Sequence, residues 1–226
     1  MSSVYRDTLL AGAARLGLEV SDSLADGMER HFALVAKWAE RINLTTVTEP
    51  RLAASRHGLD CLLFTAMIPL SASWNTVDVG SGAGFPGIVL ALARPTLELT
   101  LLEPIRKRTS FLRVALAELH LDRVRVVEGK LDPPGLKPPV TAPRSTPVWP
   151  ADLIISRATI PPLELIPLAA PRLSPGGQLI LTSGSGAPPP SELARAAEVA
   201  GLVPVERREF RLDADETRIL DRLQRP

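Results

Sequence analysis

Aromatic side chains are scarce in these 226 residues, at 4% of the chain, which excludes a surface that reads single-stranded nucleic acid by stacking bases on rings alone. Any nucleic-acid contact must fall on Arg and Lys. The only cysteine, Cys61, allows no intramolecular disulfide and no cysteine-rich metal site, so a reducing compartment suits the chain and no metal is expected. An excess of one charge is also missing: 26 Lys and Arg stand against 25 Asp and Glu, a formal net charge of +1, far from the imbalance of an autonomous nucleic-acid-binding domain. Long hydrophobic runs are absent too. The most apolar stretch, 87–102, is interrupted by Arg94, Pro95 and Glu98, and residues 1–18 lack the basic-then-apolar order of a signal peptide. A cytoplasmic chain with no membrane partner is expected. What is present is ordinary for a folded protein: 45% hydrophobic and 23% charged residues are enough to bury a sizeable core, and the length suits one α/β domain with a small appendage.

Apolar residues at helical spacing predict a helix over 4–18 and a second, capped by Ser21 or Ser23, running through Ala39 on the stripe Leu24, Met28, Phe32, Val35, Trp38 and Ile42. Poor helix formers at 43–50 interrupt the pattern, and a shorter helix resumes at Arg51 and runs to Leu62 or beyond. From Trp74 the pattern changes. Strand-like runs at 76–79, 98–102, 125–128, 153–156 and 178–182 alternate with helical segments at 87–92, 105–119, 163–172 and 191–200, which predicts a mostly parallel sheet with helices on both faces. Runs 203–211 and 217–223 flank Asp213-Ala214-Asp215 and suit an antiparallel hairpin at the sheet edge. The division expected is therefore 1–73 helical and 74–226 α/β. Seven prolines between 132 and 150 forbid helix or central strand there and mark a loop, while the breakers of 184–190 could border a substrate cleft.

Asp78 ends the first strand, and Gly80, Gly82 and Gly84 follow it. Without a Cβ, glycine tolerates positive φ and lets the backbone approach a ligand. Gly82-x-Gly84-x-x-Gly87 also matches the dinucleotide fingerprint in form, which raises an NAD or FAD reading. Register separates the two: an acidic strand end followed first by Gly80 is the arrangement of Rossmann-like methyltransferases, which use S-adenosylmethionine. Glu103, just after the second strand, can accept hydrogen bonds from ribose hydroxyls of either cofactor. After the third strand an adenine could lie against Leu131 and meet Asp132. Arg157 ends the fourth strand, where substrates of open α/β folds sit. No Asn/Asp-Pro-Pro-aromatic tetrapeptide stands there, and Cys61 lies in the helical part. An acceptor that is already nucleophilic, such as a ring nitrogen with a free lone pair, fits best, because it needs positioning and no general base. Arg106, Lys107 and Arg108 open the helix after Glu103 and could hold phosphates.

The chain resembles the bacterial small-subunit ribosomal RNA methyltransferase G family, also called glucose-inhibited division protein B. The resemblance lies in Trp38-Ala39-Glu40-Arg41-Ile42-Asn43-Leu44-Thr45, Arg56-His57-x-x-Asp60, Asp78 through Ile88 with its Gly84-Phe85-Pro86-Gly87 step, Leu101-Leu102-Glu103, and Ile155-Ser156-Arg157-Ala158. It implies methyl transfer from S-adenosylmethionine to a guanine N7 of 16S rRNA, with small-subunit rRNA or the 30S subunit as partner; a monomer is expected. Cofactor contacts are then expected at Asp78, Gly80, Gly82, Gly84, Phe85, Glu103, Leu131, Asp132 and Arg157. Catalytic roles are expected at Arg157, Asn43 and His57, and RNA contacts at Arg56, Arg106, Lys107, Arg108 and Lys130. The chain departs from the family pattern at Lys130, where arginine is usual, and at Ser183-Gly184, where lysine usually precedes the glycine. A binding homologue without turnover and a methyltransferase of another substrate are the alternatives.

Overall fold

Strand β1 (Asn75–Val79) is buried at four of its five positions, and β2 (Glu98–Glu103) at five of six. Such uninterrupted burial belongs to strands covered on both faces. A computed structural model describes residues 3–131, 149–157, 159–213 and 216–226. With β3 (Val124–Glu128), β4 (Ala151–Arg157), β5 (Leu173–Ser183), β6 (Val203–Asp213) and β7 (Glu216–Gln224) these strands form one sheet, ordered β3-β2-β1-β4-β5-β7-β6. The first five pair in parallel, while β7 runs antiparallel between β5 and β6. The expected edge hairpin is present, with its second strand turned inward. The fold is Rossmann-like.

Helices α5 (Gly87–Ala93) and α6 (Arg106–Glu118) follow β1 and β2, and α7 (Pro162–Ala169) and α8 (Pro190–Val199) follow β4 and β5. Chain order departs in opposite directions from β1 and β4, so their C-terminal ends open a crevice at the switch point of the sheet. The loops after these two strands meet there: Thr159 Oγ1 donates to the Gly80 carbonyl at 3.0 Å.

The N-terminal helices α1 (Val4–Arg15) and α2 (Asp22–Ala39) are capped by Ser3 and Ser21, whose hydroxyl oxygens accept from Arg6 N and Leu24 N, each at 3.2 Å. A side chain accepting an orphan first-turn amide is what fixes a helix start. Gly12 lets α1 close on Leu59, since a Cβ there would come within 2.2 Å of Leu59 Cδ1. The expected helix from Arg51 is instead composite. A turn α3 (Pro50–Ala53) runs into a π-helical segment (Ala54–Leu59), then α4 (Asp60–Leu62) and a 3-10 turn (Leu63–Ala66). One hydrophobic core joins these helices to the sheet, running from Tyr5, Met28 and Phe64 through Ile88, Leu99 and Phe111 to Leu153. A second, with Val77, Ile154, Leu165 and Leu193, fills the other face.

Strands β4 and β5 extend beyond the expected 153–156 and 178–182, because main-chain pairing continues past the apolar stretch; Arg157 pairs with Thr182 inside the ladder. Most of the proline-rich loop, 132–148, and the tip of the hairpin, 214–215, lie outside the described residues.

Candidate active site

The turn after β1 is closed from beneath by Asp78. Its carboxylate is buried, with Oδ2 accepting from Gly87 N at 3.1 Å, while the Ser81 hydroxyl donates to the Asp78 carbonyl at 3.1 Å. Oδ1 has no hydrogen-bond partner, and burial pushes the group up to about 7. Asp78 thus lies under the loop and braces it. Gly80 N and Ser81 N both donate to the Leu102 carbonyl, at 2.8 and 3.2 Å, tying the loop to β2. Gly82 has φ of 57°, and a Cβ there would meet only the Gly80 carbonyl, at 3.9 Å. Gly82 therefore offers bare backbone to open space, a shape into which S-adenosylmethionine fits, whereas Gly80 and Gly84 pack closely against Thr159 and Ile88.

Glu103 stands beside this bare face. Its Oε2 accepts from Gly82 N at 2.9 Å and its Oε1 from Ile105 N at 3.0 Å. A carboxylate oxygen holds two lone pairs, so each oxygen keeps acceptor capacity beyond its amide bond, on a side chain that is 2% exposed. Arg108 Nη1 lies 3.8 Å from Oε1, and the same guanidinium donates to the Asn43 carbonyl at 3.3 Å. Arg108 therefore turns inward, linking the chain after α2 to the Glu103 carboxylate, whereas Arg106 and Lys107 are exposed. Asn43 is exposed in the same quarter. Leu131 is buried against Val127 and Leu102 in the second core, Lys130 is exposed, and Asp132 lies outside the described residues.

Across the switch point Arg157 gathers the second half of the site. Its Nη1 donates to Asp60 Oδ2 at 3.0 Å and to the Arg56 carbonyl at 3.1 Å, and its Nη2 approaches His57 Nδ1 at 3.4 Å. Because a guanidinium only donates, Nδ1 must accept, so His57 carries its proton on Nε2 and donates it to Thr45 Oγ1 at 3.0 Å. Burial, aided by the charge of Arg157, lowers His57 to about 4, which leaves a neutral imidazole with both nitrogens engaged. The π-helical segment carries Arg56 and His57, and such segments are frequent at functional sites.

Asp60 is buried, and its second oxygen accepts from Arg218 Nε at 3.1 Å. Arg157, Asp60 and Arg218 line a cleft of about 560 Å³ with Thr159, Thr182, Ser183 and Gly184, the side expected from the breakers at 184–190. Arg218 and Thr159 were not singled out in the sequence. Arg218 sits on β7, opposite the Ser183 end of β5, where Ser183 pairs with Ile219; a cation two strands away in sequence therefore stands beside the position lacking lysine. Phe85 packs between two imidazoles, His57 at 4.7 Å and His31 at 4.6 Å between ring centroids, with the Arg157 guanidinium 5.8 Å from its ring. His31 was likewise not anticipated. Among the described residues no cluster of His, Cys, Asp and Glu could hold a metal, and no helix is long and apolar enough to cross a membrane.

Solved structures share the fold. A precorrin-6y C5,15-methyltransferase from Geobacter metallireducens has a TM-score of 0.55 at 14% identity, over 85% of this chain and 98% of that one. A methyltransferase from Pyrococcus furiosus has 0.54 at 14%, over 87% and 97%. Sequence relatives carry the comparison further. The ribosomal RNA small subunit methyltransferase G of Anaeromyxobacter sp. is 35% identical over 94% of this chain and 93% of its own length, and that of Myxococcus xanthus is 32% identical over 86% and 85%. The family model described as rRNA small subunit methyltransferase G matches residues 25–203, a span that contains the glycine loop and Arg157 with Arg56, His57 and Asp60, and ends before Arg218. The chain belongs to the rRNA small subunit methyltransferase G family.

Proposed function

We propose that the protein transfers a methyl group from S-adenosylmethionine to N7 of a guanine in 16S rRNA. One juxtaposition carries this reading: the Gly80–Gly84 loop is joined to the Arg157 cleft at the switch point by the hydrogen bond from Thr159, which lines that cleft, to Gly80. S-adenosylmethionine supplies an electrophilic methyl on sulfur, and guanine N7 brings an in-plane lone pair and loses no proton on methylation. The protein's own groups suit such an acceptor. His57 is neutral with both nitrogens taken, and Asp60 is held by two arginines, so neither is poised as a general base. Their task is orientation, which by itself supplies several kcal/mol of barrier lowering, on the order of 7 in well-aligned cases.

Gly80, Gly82, Glu103 and Leu131 would hold the nucleoside, with Asp78 bracing the loop from below. Arg157, held by Asp60, Arg56 and His57, would meet the acceptor nucleotide. Arg56, Arg106, Lys107 and Lys130 would contact the RNA backbone around it, with Asn43 and the helical segment 1–73 forming the RNA-side wall. A net charge of +1 gives little long-range phosphate attraction, so a structured substrate with many contacts, the 30S subunit or long 16S rRNA met by a monomer in the cytoplasm, is favoured. The test is incubation with labelled cofactor and 30S subunits from cells lacking the modification, followed by mapping of the methylated base. Label at a guanine N7 is expected; saturable cofactor binding without label in any RNA would instead favour a binding homologue, the reading suggested by Ser183.

A further inference from the structure

Helix α2 places one polar side chain on its apolar stripe. His31 follows Met28 by one turn and precedes Val35 by another, and its ring is fully buried. A buried imidazole carries a desolvation cost, and here it reaches the glycine loop, fifty-two residues away in sequence. His31 Nε2 lies 2.8 Å from the Ala83 carbonyl. A carbonyl only accepts, so Nε2 carries the proton and donates it. Nδ1 has no partner, so this one hydrogen bond is the polar contact that the ring makes.

The loop is shaped around that ring. Gly84 has φ of 87°, and a Cβ there would lie 3.1 Å from His31 Nε2 and 2.5 Å from Ile88 Cδ1. Phe85 then inserts between His31 and His57. We propose that His31 is a positioning residue for the cofactor loop: by donating to Ala83 and backing Phe85, it holds the Gly82 backbone in the bare, outward-facing conformation that receives S-adenosylmethionine. This rests on the reading of the loop as the cofactor site. The donor is what matters, since Ala83 C=O would otherwise be a buried acceptor without a partner, and the loop would turn toward another donor.

Burial lowers His31 to about 4, so the ring stays neutral through the working range and its donor is constant. The groups facing it are the Ala83 carbonyl, the Phe85 ring and, beyond that ring, His57, whose charge would oppose its protonation.

The test compares binding of S-adenosylhomocysteine by calorimetry in wild type, His31→Leu and His31→Gln, the glutamine amide nitrogen reaching the Nε2 position. Urea unfolding confirms that each variant is folded, and amide exchange at residues 81–85 reads loop order directly. Expected are a roughly ten-fold weaker Kd and faster loop exchange in His31→Leu, both largely restored in His31→Gln, with the KM for 30S subunits within about two-fold of wild type throughout. Should His31→Leu not fold, His31→Asn, whose shorter amide stops short of Ala83, takes its place. A folded His31→Leu with wild-type Kd overturns the proposal, as does equal weakening in both variants, which would assign the effect to ring packing. Absence of binding by wild type would overturn the cofactor reading itself, a result separable from either.

Discussion

Arg157 and Asp60, ninety-seven residues apart, meet at 3.0 Å with the Asp60 carboxylate almost wholly buried. Asp60 also accepts from Arg218, so one carboxylate from the helical segment fixes guanidiniums from two strands of the sheet. Removing one partner of a buried ion pair leaves the other charge uncompensated, typically at about 3–5 kcal/mol. Asp60→Ala is therefore expected to lower unfolding stability by about 3 kcal/mol and to reduce kcat/KM for 30S methylation on the order of a hundred-fold, with the Kd for S-adenosylmethionine changed by less than about three-fold. Denaturant titration beside calorimetry and steady-state kinetics checks all three, and a loss confined to cofactor binding would place Asp60 on the wrong side of the site.

Glu103 accepts from two backbone amides. Glu103→Gln turns one of those acceptors into a donor, so that an amide nitrogen must face either Gly82 N or Ile105 N. A cofactor Kd weakened by about ten- to a hundred-fold is expected, equivalent to about 1.4–2.8 kcal/mol, in a folded protein whose RNA affinity is unaltered. Equilibrium binding of S-adenosylhomocysteine and of 16S rRNA fragments, measured separately, decides this.

Stability should carry the signature of His31. Its value in the folded chain, about 4, lies below the ordinary 6.5. The unfolded chain therefore takes up the proton first as pH falls. The stabilisation is whole above 6.5 and is lost progressively toward 4, a loss of about 2 kcal/mol by pH 5. His31→Gln lacks this titration, so the stability difference between wild type and variant is expected to shift by about that amount between pH 7.5 and 5, with His57 and Asp78 common to both. A pH-independent difference in urea unfolding would exclude a neutral buried His31.

Asp78 works in the opposite direction. Its carboxyl is raised to about 7 from 3.8, so the folded chain holds its proton longer than the unfolded one, and stability from this group falls as pH rises from about 4 to 7. Asp78→Asn retains an acceptor for Gly87 N and removes the buried anion. The variant is expected to gain on wild type by on the order of 3 kcal/mol between pH 4.5 and 7.5; parallel stability profiles would contradict the burial of an ionisable Asp78.

Much of this was legible from the sequence because the relevant signals are local. The β1 turn, with its acidic strand end and three glycines, declares both strand and loop, and the Ser21 cap lies where a helix start was expected. Glu103 and Arg157 follow from their positions at strand ends. What was not legible depends on tertiary contact. His31 sits at the spacing of a core residue and looks like one until Ala83 is brought against it. Arg218 becomes relevant only through the antiparallel register that sets β7 beside Ser183. Asp78, expected at the cofactor, lies beneath the loop because the strand carries it inward. Arg108, expected on the RNA face, bends back because Glu103 and the Asn43 carbonyl together attract it.

The π-helical segment Ala54–Leu59 makes the length of this stretch a tuned quantity. A helix that holds one extra residue in its winding returns to ordinary α geometry when one residue is deleted, and the residues beyond the deletion keep nearly the same facing, because each residue of the π turn sweeps a smaller angle than the roughly 100° of an α-helix. Loss of Ser55 alone would therefore close the π turn and leave Asp60 facing both guanidiniums, displacing chiefly Arg56 and His57, which lie within the turn, whereas a second deletion would rotate Asp60 by about 100° away from them. The π turn is in this sense a reserve of length ahead of Asp60, one residue deep, whose use would fall on the two side chains that brace Arg157 from within it.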